Sequence, residues 1–179
     1  MRLLMHSETG ELQRVASIEG YGDDWIDRGE IPEDVPPNIA VWDEAAESVV
    51  PDLSGPVAAA LAWVSEEFAR QVALGCDSPK GWVECDEKAQ GRIERLIKLW
   101  EQLPIPGTPS PETILFTMFD TTIKEPHSYD ELVTLGITIG LNFLAKFSVK
   151  QGLETAINAA AATGSLAAIQ AIITEGWPS

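Results

Sequence analysis

The stretch SGPVAAALAWVSEEFARQVALG, residues 54–75, decides how the rest of the chain is read. Val57, Leu61, Val64, Phe68 and Val72 recur at spacings of three and four, the period of one helix face. Pro56 suits the first helical position behind Ser54 as the candidate cap, and Gly75 closes the run. Upstream no such period exists. Segments 2–6 and 12–18 flank polar residues 7–10, which predicts a β-hairpin, and 39–42 with 48–50 predicts a second across 43–47. Between them, residues 21–37 are rich in Asp, Glu, Gly and Pro and read as an exposed connection.

Downstream, a loop or small hairpin over 76–86 turns at Pro79-Lys80-Gly81. A helix over 87–103 places Ile93, Leu96, Ile97, Trp100 and Leu103 on one face. Four prolines in residues 104–111 predict a stiff linker. A hairpin follows, 114–119 with 122–124, turning near Asp120-Thr121. Ser128-Tyr129-Asp130-Glu131 matches the capping-box pattern, and Leu132, Leu135, Ile139, Phe143 and Phe147 form the stripe behind it. Gly152 is the expected break before an alanine-rich helix over 153–162, and a last helix spans 166–173. The expectation is an α+β fold: short N-terminal β-hairpins (1–55), then a mainly helical domain with one inserted β-hairpin (56–179).

The 179 residues hold 12 Lys and Arg against 28 Asp and Glu, a net charge of −16. So few cations build no patch for phosphate backbones, which excludes nucleic acid and anionic lipid as expected partners. The acid is concentrated in front, with 13 acidic and 3 basic residues in 1–55. No stretch reads as an uninterrupted membrane span of about 20 apolar residues, and the N-terminus turns polar at His6-Ser7-Glu8, too early for a signal peptide. Two cysteines make no disulfide framework, so the expected setting is a reducing cytoplasm.

The chain offers little chemistry. His6 and His127 lack a neighbouring nucleophile or carboxylate in the sequence and are read as surface residues. Cys76 and Cys85, eight residues apart, lack zinc spacing and read as small apolar residues. The acidic run Asp23-Asp24-x-x-Asp27 and Glu33-Asp34 does not reproduce a calcium-loop rhythm. Gly136-x-x-x-Gly140 signals close helix approach within the chain or between copies. Trp63 and Trp100 fall on or beside helical stripes. Trp25 and Trp42 lie in the acidic front, and with Asp23, Asp24 and Asp27 they are the candidate partner-binding residues. No catalytic residue, metal site or cofactor is expected.

The order of segments resembles a domain of unknown function found in tailed-bacteriophage proteins, encoded beside tail fibres and labelled as tail or tail-fibre-assembly proteins. The likeness covers about residues 60–178 and rests on several segments. Cys85-Asp86-Glu87-Lys88-Ala89-Gln90 opens a helix. The hairpin Phe116-Thr117-Met118-Phe119-Asp120-Thr121 ends in an Asp turn, and Glu131-Leu132-Val133-Thr134-Leu135-Gly136 begins the next helix. Residues 153–160, 166–169 and the terminal Gly176-Trp177-Pro178 complete it. Cys85 and Thr121 stand where the family carries Thr and Asn.

The resemblance implies a non-enzymatic tail protein, either a tail-fibre-associated structural component or a fibre-assembly chaperone. Its location would be the virion tail, or the host cytoplasm during assembly. Partners would be other tail or tail-fibre proteins, with a homo-oligomer possible and a trimer expected in a fibre. The alternative is an acidic inhibitor or immunity-type protein that binds a host or rival protein. DNA mimicry is disfavoured because the acid excess lies in a Pro- and Gly-rich segment rather than along rigid elements.

Overall fold

A computed structural model describes residues 1–33, 35–103, 111–119 and 124–178. The fold is α+β: an antiparallel sheet in front, then a mainly helical region carrying small hairpins. Met1–Leu61 together with Thr155–Gly176 form one compact unit; Ala62–Glu154 with Trp177 and Pro178 form the other.

In the first unit, β1 (Arg2–His6) is the centre of a three-stranded sheet, between β2 (Leu12–Val15) and β3 (Trp25–Glu30). β3 corrects the reading of 21–37 as an exposed connection. Its sequence, WIDRGE, has neither alternation nor β-branched enrichment beyond Ile26, so only pairing with β1 makes it a strand. The register shifts between Leu3 and Leu4, opposite Arg28, and Gly29 sits at φ 111°, as a bulge requires. Leu3 is buried with Ile31, Val35, Ala40 and Val49, and Leu4, its neighbour in the strand, is buried as well. β4 (Ala40–Asp43) and β5 (Ser48–Pro51) form the second expected hairpin. α4 (Leu166–Glu175) completes the unit, with Ser165 accepting from Ala168 N at 3.2 Å as its cap.

α1 (Ser54–Ala73) begins at Ser54 itself, so the cap is not Ser54. Asp52 Oδ1 accepts from Ser54 N at 3.0 Å, which satisfies one of the amide donors at the helix start.

The second unit is built round Cys76, Val83, Cys85, Ile93, Phe116, Met118, Leu132, Leu135 and Ile139. Two hairpins feed this core, one more than the fold expectation counted: β6 (Cys76–Ser78) with β7 (Gly81–Val83), and β8 (Ile114–Thr117) with β9 (Lys124–His127). Phe119 N donates to Trp82 O at 3.0 Å, tying one hairpin to the other. β9 lies further along than the expected 122–124, and the expected turn at Asp120-Thr121 and most of the Pro-rich linker lie outside the described residues. α2 (Glu87–Glu101) is capped by Asp86, which accepts from Ala89 N at 2.7 Å.

α3 (Tyr129–Ala162) opens with the expected capping box: Glu131 Oε2 accepts from Ser128 N at 2.8 Å and Ser128 Oγ from Glu131 N at 3.4 Å. Gly152 does not break it. A helical glycine costs about 1 kcal/mol relative to alanine, which a 34-residue helix without an internal proline tolerates. The uninterrupted helix is long and apolar enough to cross a membrane by length and composition, with mean hydropathy 1.6 over its best window. This corrects the reading that no such stretch exists. Leu132, Leu135 and Ile139 of that helix are nonetheless committed to the protein core.

Candidate partner-binding surfaces

The five residues singled out in the sequence all lie in the first unit. Trp25 opens β3 and is half-buried, packed edge-on against His6 at 5.1 Å and Tyr21 at 5.6 Å between ring centroids. His6 Nδ1 accepts from Glu8 N and Thr9 N, both at 3.3 Å, so this imidazole organises the β1–β2 turn. Asp27 is not free for a partner. Arg2 holds it through Nε and Nη2 at 2.9 and 2.6 Å to Oδ2, and this pairing lowers the carboxyl pKa from its ordinary value. Asp23 and Asp24 are exposed, with no side-chain partner among the described residues.

Trp42 is half-buried in β4, with the Arg28 guanidinium 4.7 Å above its ring. Arg28 Nη2 donates to Glu44 Oε1 at 3.1 Å. Arg28 Nε and Trp42 Nε1 are both buried without an acceptor among the described residues. Arg28 is the unpaired residue at the register shift between β1 and β3, and nothing in the spacing of the sequence foretells that shift. Asp23, Asp24, Trp25, His6 and Tyr21 therefore gather at one end of β3, whereas Asp27 and Trp42 belong to separate ion-pair and cation–π arrangements.

In the second unit, His127 corrects the expectation of a surface residue: it is 2% exposed. Its Nδ1 lies 2.9 Å from Glu125 O and donates to it. The ring borders a cavity of about 170 Å³ lined also by Pro79, Lys80, Asp130, Glu131 and Thr134. Lys80 Nζ donates to Glu131 Oε2 at 2.7 Å and to Pro126 O at 2.6 Å. Lys80 and the Ser128 N–H bring the Glu131 carboxyl from 4.5 down to about 2. A carboxyl lowered on folding stabilises the fold above its unfolded value and loses that contribution as pH falls. The melting-temperature gap between wild type and Glu131→Gln is therefore expected to be widest above pH 4.5 and to close as pH drops toward 2. Calorimetry across that range checks it; a gap independent of pH refutes the linkage.

The cysteines are buried and unpaired by disulfide, as their reading as small apolar residues requires. Burial and the adjacent Cys85 push the Cys76 thiol up to about 11, away from nucleophilic thiolate. Lys146 reaches in beside them: its Nζ donates to Gln71 O at 2.8 Å and Gly75 O at 3.0 Å and lies 3.6 Å from Cys85 Sγ. The half-buried lysine thus holds carbonyls at the end of α1. Among the described residues no three His, Cys, Asp or Glu side chains converge as metal ligands.

Two further surfaces went unseen in the sequence. Leu99 and Leu115 are exposed at a groove of about 360 Å³ edged by Arg92 and Arg95. Ile137, Leu141 and Leu144 are exposed along α3. The expected stripe of α3 predicted its buried face, but hydropathy alone does not say that a second apolar face exists. No family model matches the chain, and neither a curated protein nor a solved structure matches it significantly.

Proposed function

We propose that this chain is a non-enzymatic component of a bacteriophage tail, acting at the tail fibre as a resident part or as an assembly chaperone. The resemblance in segment order supplies the biological setting. The observation that supports docking is the Tyr21–Trp25–His6 aromatic cluster beside the exposed, unpaired carboxylates of Asp23 and Asp24. Aromatic rings offer contact area at low entropic cost, and free carboxylates select a basic partner surface. His6 organises a turn, Lys146 holds a helix end, and both thiols are buried.

The test begins with quantitative mass spectrometry of purified particles and of fibre complexes from infected cells. A fixed copy number per particle marks a structural part; presence only in fibre complexes marks a chaperone; absence from both overturns the reading. Joint Asp23→Asn and Asp24→Asn substitution is then expected to weaken fibre binding about tenfold at low salt and less at high salt. Point substitution is preferable to removing the front, because residues 1–61 form one unit with 155–176.

A further inference from the structure

We infer that the exposed face of α3 is a two-fold interface with a second copy of this chain. Ile137, Leu141 and Leu144 recur at spacings of four and three, and are 58, 62 and 59% exposed. They form a ridge of large apolar side chains along one line of the helix. Directly beside that ridge runs a groove of about 440 Å³ between α2 and α3, lined in part by Ile97, Val133, Gly136, Ile137 and Gly140. The glycines make the groove. A side chain at Gly136 would meet Ile93 Cγ2 at 2.9 Å, so the two helices approach closely there, while the space above Gly140 is open.

A ridge lying next to a groove on the same surface is self-complementary. A two-fold axis between them seats each copy's ridge in the other's groove, which is the condition for an isologous contact. The charge distribution favours the same occupant. Two copies of a −16 chain repel over most of their surface. α3, however, carries no charged side chain between Glu131 and Lys146; on the α2 rim Lys98 Nζ is paired with Glu94 Oε1 at 2.6 Å, and Glu101 Oε1 accepts from the Tyr129 hydroxyl at 3.0 Å. Along the α3 ridge, two such chains meet with no carboxylate on the ridge itself. The inference does not rest on the tail reading.

Analytical ultracentrifugation of the full chain tests it. The expected result is a reversible dimer of twice 19.4 kDa. Its dissociation constant is expected to fall as salt rises, because screening relieves the repulsion. Docking of the acidic front onto a basic partner would show the opposite salt dependence, so the two readings fail separately. Leu141→Glu is expected to weaken the dimer about a hundredfold, since it places a carboxylate in the contact. Gly140→Leu fills the groove from within and is expected to weaken it too. Leu115→Glu, equally exposed but outside the patch, leaves the dimer unchanged. Circular dichroism verifies that each variant is folded. A monomer at all concentrations, a trimer, or a dimer insensitive to both α3 variants overturns the inference.

Discussion

Gly75→Ala is expected to lower stability by about 3 kcal/mol or more, combining left-handed backbone strain with a steric clash. Gly75 stands just past α1 at φ 75°, where its N–H donates to Val72 O at 3.1 Å and turns the chain into β6. A methyl group there would run into the backbone oxygen of Val83, and would lie 2.7 Å from Trp82 Nε1 and 2.9 Å from Phe119 Cδ2. The first obstacle is backbone and has no rotamer to change. The Gly75 carbonyl also accepts from Lys146, so any shift of this residue disturbs the half-buried lysine. Gly164 is the natural comparison. It has nearly the same φ, 71°, but nothing within 4 Å of an added Cβ. Gly164→Ala should cost only the backbone strain, about 1–2 kcal/mol. Urea unfolding of both variants separates the terms. Equal losses would mean that the contact at Gly75 is relieved by movement and that close packing of the hairpin on the helix end is not what requires glycine there.

Ile139→Ala is expected to cost about 3–4 kcal/mol, the price of a cavity in a core that relaxes only partly. Ile139 is fully buried beside Ile93, Leu132 and Leu135 in the cluster that α2, α3 and the two hairpins share. Leu141, two residues along the same helix and equally apolar, is 62% exposed. Leu141→Ala should change stability by no more than about 0.5 kcal/mol in dilute solution, where copies of the chain are dissociated. Thermal unfolding at low protein concentration measures both. Similar losses for the two would place Leu141 in a packed environment and remove the ridge on which the two-fold contact depends.

Much of this architecture was legible because it is local. The three-and-four spacing from Val57 to Val72, the Ser128–Glu131 box and the Gly75 stop each depend on residues within a turn or two of one another. Of the stripe Leu132, Leu135, Ile139, Phe143 and Phe147, the first three lie in the core cluster, while the two phenylalanines are half-buried. β3 was not legible. WIDRGE carries the composition of a loop, and becomes a strand only because β1 supplies its hydrogen-bond partners from 19 to 28 residues away. Gly152 misled in the opposite direction, since one glycine weighs little against a long helix.

The candidate surfaces divide in the same way. Trp25, Asp23 and Asp24 were found from composition, as aromatic and acidic residues in a front poor in large apolar groups, and they lie together because they adjoin in the chain. Asp27, three residues on, was assigned with them but is taken by Arg2, which the antiparallel pairing of β1 and β3 brings within reach. His127 looked like a surface residue because burial cannot be read from a residue and its neighbours.

By itself, the sequence determined the fold class, the helical periods, the Ser128–Glu131 capping box and the strongly negative charge, all set by short-range geometry and composition. Only the tertiary structure decided which apolar face of α3 is core and which is ridge, and that Gly136 and Gly140 leave a groove beside it. Those outcomes depend on which distant segment packs against each face, and a chain's local pattern carries no record of what it will meet.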